Sequence, residues 1–214
     1  GNKTKNRYLS VDKDKKELIT IFEMLDKKGY LKGIVATSSV THATPAAFYA
    51  HIDSRYKEKE IAQQLLNSSV DIALGGGQEF FNLEEADKTH YLMTQKAALE
   101  INYDGSKNIV GLFDEDGMER GPYMPTQREM TNYALDYLND KCNGFFLMTE
   151  GSQIDWAGHS NDVDYMIREF KDFDLTIKDL INFVSNNKDT LLLITADHET
   201  GGLQLMKQKD DSFE

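Results

Sequence analysis

The run Phe145-Phe146-Leu147-Met148-Thr149-Glu150-Gly151-Ser152-Gln153-Ile154-Asp155-Trp156-Ala157-Gly158-His159 decides how the rest of the chain is read. Its first four residues form a short apolar block of the kind that makes a buried strand. Glu150 sits just past the expected strand end. Asp155 and His159 follow four residues apart, so on a helical turn they share a face and can chelate one ion. Asn161 to Asn186 then reads as a long helix, with Val163, Met166, Ile167, Phe170, Phe173, Ile177, Leu180, Ile181 and Val184 on one stripe. That stripe, including the aromatics from Phe170 to Phe183, is expected in the core.

The same alternation extends outward in both directions. Upstream, Gly33-Ile34-Val35-Ala36-Thr37, Val70-Asp71-Ile72-Ala73-Leu74 and Ile109-Val110-Gly111-Leu112-Phe113 read as strands. Leu18 to Lys28 and Ile61 to Leu66 read as helices. Thr126 with Glu129 makes a capping box that opens a helix running to about Leu138. Downstream, Thr190-Leu191-Leu192-Leu193-Ile194-Thr195 is expected to be the last strand, with Asp197 and His198 just beyond it. Gly75-Gly76-Gly77 lacks the spacing and lysine of a phosphate loop and reads as a turn. Gln78 to Asn108 shows no clear pattern, and the tail from Lys207 to Glu214 is polar and expected to be loose. Strands alternating with amphipathic stretches argue for an α/β fold, a mostly parallel sheet joined by crossover helices.

The 214 residues suit a single α/β domain over 1–214, and 40% hydrophobic content is enough for a core. A net charge of −12 and a pI near 4.9 argue against nucleic acid or an anionic membrane as partner. The single cysteine, Cys142, excludes an internal disulfide. No run is long and apolar enough to span a bilayer, no signal-peptide pattern is visible, and the opening Gly1-Asn2-Lys3-Thr4-Lys5 reads as an internal stretch.

In an open parallel sheet, ligands bind beyond the carboxyl ends of the strands. Glu150, Asp155 and His159 follow one expected strand, Asp197 and His198 another, and Thr41, His42 and Thr44 a third. Asp197 and His198 are adjacent, so on a strand they would point opposite ways. They serve one site only if a turn redirects one of them, a role Gly201-Gly202 suits. Carboxylate with imidazole suits zinc, and the oxygens of Glu150 and Thr44 suit magnesium. Each signal alone is weak. An Asp-x-x-x-His pair is more often an ordinary surface pair, an Asp-His dipeptide is close to noise, and Glu150 alone could be a carboxylate at a helix start. Their joint placement after separate strands is what argues for a site. His51 and His90 have no evident partner and read as structural.

At these residues the chain resembles the alkaline phosphatase family. Glu150 through His159 with Asn161-Asp162, then Asp197-His198-Glu199-Thr200-Gly201-Gly202, and Thr41 through Ala47 with Arg55, match in order, and the likeness runs from Gly1 to about Leu205. The resemblance implies a three-layer α/β/α sandwich and a phosphate monoester hydrolase. Asp155 and His159 would hold one zinc, Asp197 and His198 a second, and Glu150 with Thr44 magnesium. Arg55 would clamp two phosphate oxygens through its planar fork. His42 and Trp156 would lie near the phosphate, at places where some members carry an aspartate and a basic residue. The reaction implied is in-line phosphoryl transfer through a phosphoserine, on phosphate monoesters with inorganic phosphate as product, in a periplasmic or extracellular protein.

The resemblance also implies that the chain is a central fragment. The family's nucleophilic serine, in an Asp-Ser-Ala run, and an aspartate bridging zinc and magnesium would precede Gly1. A last zinc histidine would follow Glu214. Ser38, Ser39 and Ser152 do not sit in a nucleophile's context. The chain alone is therefore expected to be inactive, its sheet incomplete, and an exposed strand edge a template for pairing with another copy. Two other readings stay open: a phosphodiesterase, sulfatase or phosphomutase of the wider superfamily, and a non-catalytic metal-binding domain.

Overall fold

A computed structural model describes residues 2–103, 105–140 and 144–204. Cys142 and the polar tail from Lys207 lie outside the described residues. The chain divides into two compact units, Gly1–Gly151 and Ser152–Glu214.

In the first unit, five strands among the described residues form one sheet in the order β3-β4-β2-β1-β5. They are β1 (Leu31–Ser39), β2 (Ile72–Gly76), β3 (Tyr91–Met93), β4 (Ile109–Leu112) and β5 (Phe145–Glu150). Every pairing is parallel. The connections accordingly carry helices: α1 (Ile21–Asp26) precedes β1, α2 (Ala43–Ala46) and α3 (Glu58–Leu66) lead to β2, α4 (Leu83–Thr89) leads to β3, and α5 (Gln127–Asn139) joins β4 to β5. Alternating side chains feed two cores. Ile34, Ala73, Val110 and Leu112 pack with Phe22 of α1 and Ile61, Ala62 and Leu65 of α3 on one face. Val35, Ile72, Leu74 and Ile109 pack with Met130, Ala134 and Leu138 of α5 on the other. Helices on both faces of a parallel sheet give three layers.

β1 sits between β2 and β5 and is buried from its second residue onward. The chain leaves it toward one helical layer and reaches β5 through the other, so the strand order reverses at β1. This is the switch point beyond which open α/β sheets place their ligands. β5 is only half-buried along its whole length, because as the last strand of the sheet it has a neighbour on one side alone.

The glycine run departs from the expected turn. β2 continues through Gly75 and Gly76, and only Gly77, at φ +103°, leaves the strand. A β-carbon on Gly76 would lie 1.8 Å from the carbonyl oxygen of Asp116. The glycine thus admits a neighbouring backbone where a turn was expected.

In the second unit, α6 (Gln153–Ser160) is followed by α7 (Val163–Asn186), capped by Asp162, whose side chain accepts from Tyr165 N–H. Two expectations are corrected here. Residues 190–195 form no strand, and Leu191 and Leu193 are each 79% exposed. A β-prone run becomes a strand only with a neighbour to bond, and this run has none among the described residues. The stripe on α7 is not core either: Phe170 is 57% exposed, and Val163, Ile167 and Ile181 are exposed too. Of the stripe, Leu180 is buried and Met166, Phe173, Ile177 and Val184 are half-buried, while the helix also buries Glu169, Asp172 and Thr176.

Candidate metal and phosphate site

In the first unit the site begins where β1 ends. Val40 N–H donates to the Gly76 carbonyl at 3.1 Å, and the Tyr49 hydroxyl donates to the Val40 carbonyl at 2.9 Å. His42 then caps α2, whose short turn carries Thr44 at an exposed position. His42 Nε2 lies 2.8 Å from Arg55 Nη2. Arg55 comes from a different stretch, held by the N-terminal segment. Leu9 and Ile52 exchange backbone hydrogen bonds, and Arg55 N–H donates to the Arg7 carbonyl at 2.8 Å. Asp53 ties the same stretch between Lys15, at 2.6 Å, and Lys57, at 3.0 Å. Hydrogen bonds from those two ammonium groups hold its carboxyl down to about 2. Glu150 closes β5, paired with Ala36 of β1, so it ends the strand rather than following it.

Sequence reading missed Glu58 and Asp116 beside this group. Burial pushes the Asp116 carboxyl up, the charges of Glu58 and Asp114 add to that, and His42 pulls it back. The two acids lie 16 and 74 residues from His42 in sequence, so no local motif connects them to it.

In the second unit, α6 presents Asp155 and His159 one turn apart, Asp155 Oδ2 to His159 Nε2 being 3.5 Å, with Trp156 half-buried beside them. The segment after residue 195 returns to the same place. His198 Nδ1 lies 4.0 Å from Asp155 Oδ1, and the Thr200 hydroxyl donates to that same oxygen. Two glycines permit the approach. A β-carbon on Gly158 would sit 2.8 Å from the Thr200 carbonyl oxygen, and one on Gly201 would sit 2.3 Å from the Gly158 carbonyl oxygen. Gly201 and Gly202 both hold positive φ, which makes the turn. Asp197 stays on the exposed side. Its Oδ2 is 3.3 Å from His198 Nε2, and its Oδ1 accepts from His198 N–H at 3.0 Å. The Glu199 carbonyl, with the carboxylates of Asp197, Asp155 and Glu199, raises the His198 pKa above the ordinary imidazole value.

The structure therefore brings together Asp155, His159 and His198 in one unit, and His42 with Arg55 in the other. Glu150 ends β5, and Thr44 lies in α2, which follows the end of the neighbouring β1. Carboxylate and imidazole donors fit zinc in kind. Among the described residues, no three His, Cys, Asp or Glu side chains converge as one ion would require. The arrangement is one of pairs sharing Asp155.

The fold is shared with solved alkaline phosphatases. A cold-active enzyme from Shewanella sp. superposes with a TM-score of 0.89 at 35% identity, covering 97% of this chain and 54% of that one. A histidine-to-aspartate mutant of the alkaline phosphatase from TAB5, with Mg bound in its M3 site, superposes at 0.82 with 32% identity, covering 99% of this chain and 66% of that one. The family model for alkaline phosphatase matches residues 1–211, and the chain belongs to the alkaline phosphatase family. It is 39% identical over 222 residues to alkaline phosphatase 4 of Bacillus subtilis, covering 96% of this chain and 48% of that protein. The chain spans about half the length of the curated relatives it matches.

Proposed function

We propose that this chain carries part of the catalytic centre of a metal-dependent phosphate monoester hydrolase. The observation that carries the reading is Asp155, approached by His159 from its own helix and by His198 from a segment that two glycines let pass close by. Asp155 and His159 would hold one zinc, Asp197 and His198 a second, and Glu150 with Thr44 magnesium. When bound, such ions supply Lewis-acid polarisation of ester oxygens and activation of water.

The side chains of this chain do the rest by charge and position. Arg55 presents a planar fork of donors to two phosphate oxygens, and His42, bonded to it, fixes the direction of that fork. Trp156, which carries no charge, would be a further phosphate-binding residue by the family likeness. Thr200, donating to Asp155, fixes which carboxylate oxygen remains for a ligand. No serine here is assigned as nucleophile. Ser38 and Ser39 are fully buried, and the Ser39 hydroxyl is committed to Glu58. The 214-residue chain alone is accordingly proposed to have negligible turnover. The family relationship supports phosphate monoesters as substrates, inorganic phosphate as product and a periplasmic or extracellular setting.

Calorimetric titration of the chelator-stripped chain with zinc tests the assignment. Two tight sites, lost separately in Asp155→Ala and His198→Ala, are expected. Absence of any tight site would remove the ligand assignment. Robust metal-dependent hydrolysis of a phosphomonoester by the purified chain would remove the claim of inactivity. Zinc binding without phosphate binding would favour the non-catalytic metal-binding reading.

A further inference from the structure

We propose that Glu58 is a positioning residue that locks the loop bearing His42 and Thr44 against Arg55. This rests on the phosphate-clamp reading of Arg55. Glu58 stands in the first turn of α3, three residues after Arg55. Its Oε2 accepts two hydrogen bonds, from Thr41 Oγ1 at 2.7 Å and from Ser39 Oγ at 2.9 Å. Both donors are fully buried. One closes β1, and the other directly precedes His42. A carboxylate oxygen has lone pairs for both, and charge makes each bond stronger than a neutral one.

The bonds complete a ring. Three residues of chain lead from Arg55 to Glu58. A hydrogen bond leads from Glu58 to Thr41, the chain continues to His42, and His42 Nε2 meets Arg55 at 2.8 Å. Within the same stretch, Val40 is held at both its N–H and its carbonyl. Three consecutive residues before His42 are thus each held by hydrogen bonds, two of them by the Glu58 side chain reaching back from the Arg55 segment. The guanidinium of a flexible arginine gains most from such preorganisation, because its fork must match two oxygens at once. Burial raises both the Tyr49 hydroxyl and the Asp116 carboxyl, and the nearby Glu58 charge adds to each.

A purely structural carboxylate, present only to satisfy two buried hydroxyls, would affect stability and leave the His42–Arg55 pair alone. The test therefore reads that pair directly. Nitrogen-15 resonances of the His42 ring are followed in the metal-free chain, and inorganic phosphate affinity is measured by calorimetry in the zinc-loaded chain. Glu58→Ala is expected to shift the His42 Nε2 resonance and weaken phosphate binding about tenfold, in keeping with loss of charged hydrogen bonds. Glu58→Gln, whose amide oxygen still accepts, is expected to restore both. Should Glu58→Ala not fold, the near-isosteric Thr41→Val removes one of the two bonds and is expected to shift the same resonance. An unchanged His42 resonance in a folded Glu58→Ala or Thr41→Val chain would overturn the proposal. Phosphate binding that survives Arg55→Ala, or is absent from the unmodified chain, would overturn the clamp reading instead, and the His42 resonance would still decide the role of Glu58.

Discussion

Single residues set the second unit's ligand geometry. Gly158 and Gly201 leave no room for a β-carbon where the returning segment crosses α6. Gly201→Ala is expected to cost about 1–3 kcal/mol through overpacking, with further strain from its positive φ. Urea unfolding would measure the cost, and zinc calorimetry would show weaker binding at His198. Asp53 makes a pH prediction. Its folded carboxyl lies at about 2, below its ordinary 3.8. A depressed carboxyl contributes stability above the unfolded value and loses it as pH falls through the folded one. The stability gap between the unmodified chain and Asp53→Asn should therefore hold above pH 4 and close toward pH 2, and Lys15→Ala should raise the Asp53 titration midpoint seen by NMR. Sequence alone suggested the turn at Gly201-Gly202, since adjacent Asp197 and His198 cannot otherwise share a site. It could not suggest Thr200 or Glu58. A lone threonine or glutamate has no pattern, and its role exists only once the fold supplies a partner 45 or 17 residues away.

At the scale of elements, local chemistry was most readable where a segment carries its own instructions. Thr126 and Glu129 form the expected reciprocal cap on α5, with the Thr126 hydroxyl accepting from Glu129 N–H and Glu129 accepting from Thr126 N–H. Thr126→Ala should cost about 1 kcal/mol, while Thr126→Ser should cost much less. Comparing the two midpoints in urea would separate capping from any loss of packing. β1 was readable at its centre, where Ile34, Val35 and Ala36 are fully buried, but its ends were not, because Lys32, Ser38 and Ser39 are polar residues buried on the strand. Elements that depend on what lies beside them were not. β3 has only three residues, too few for a period to show. α7 has the expected length and spacing, yet of its apolar stripe Leu180 alone is buried, beside Glu169, Asp172 and Thr176, since an apolar stripe states a preference for cover without supplying it. Residues 190–195 have strand composition but no strand to pair with among the described residues.

For the whole molecule, the family and the parallel α/β plan were legible from the sequence, because strand-end motifs and alternation are both written locally. The exposed apolar residues of α7 and of residues 190–195, together with an edge strand at β5, predict self-association despite a net charge of −12. Light scattering across a concentration series should show mass rising with concentration, and a constant monomer mass would contradict it. Leu191→Lys with Leu193→Lys should shift the distribution toward monomer. The run from Thr190 to Thr195 has a further consequence. Six successive residues there are uncharged, free of proline and glycine, and rich in branched side chains, with two leucines at 79% exposure. Such segments stack into dry steric zippers. On prolonged incubation the chain should convert to fibrils after a lag that preformed seeds abolish, and the two lysine substitutions should lengthen that lag.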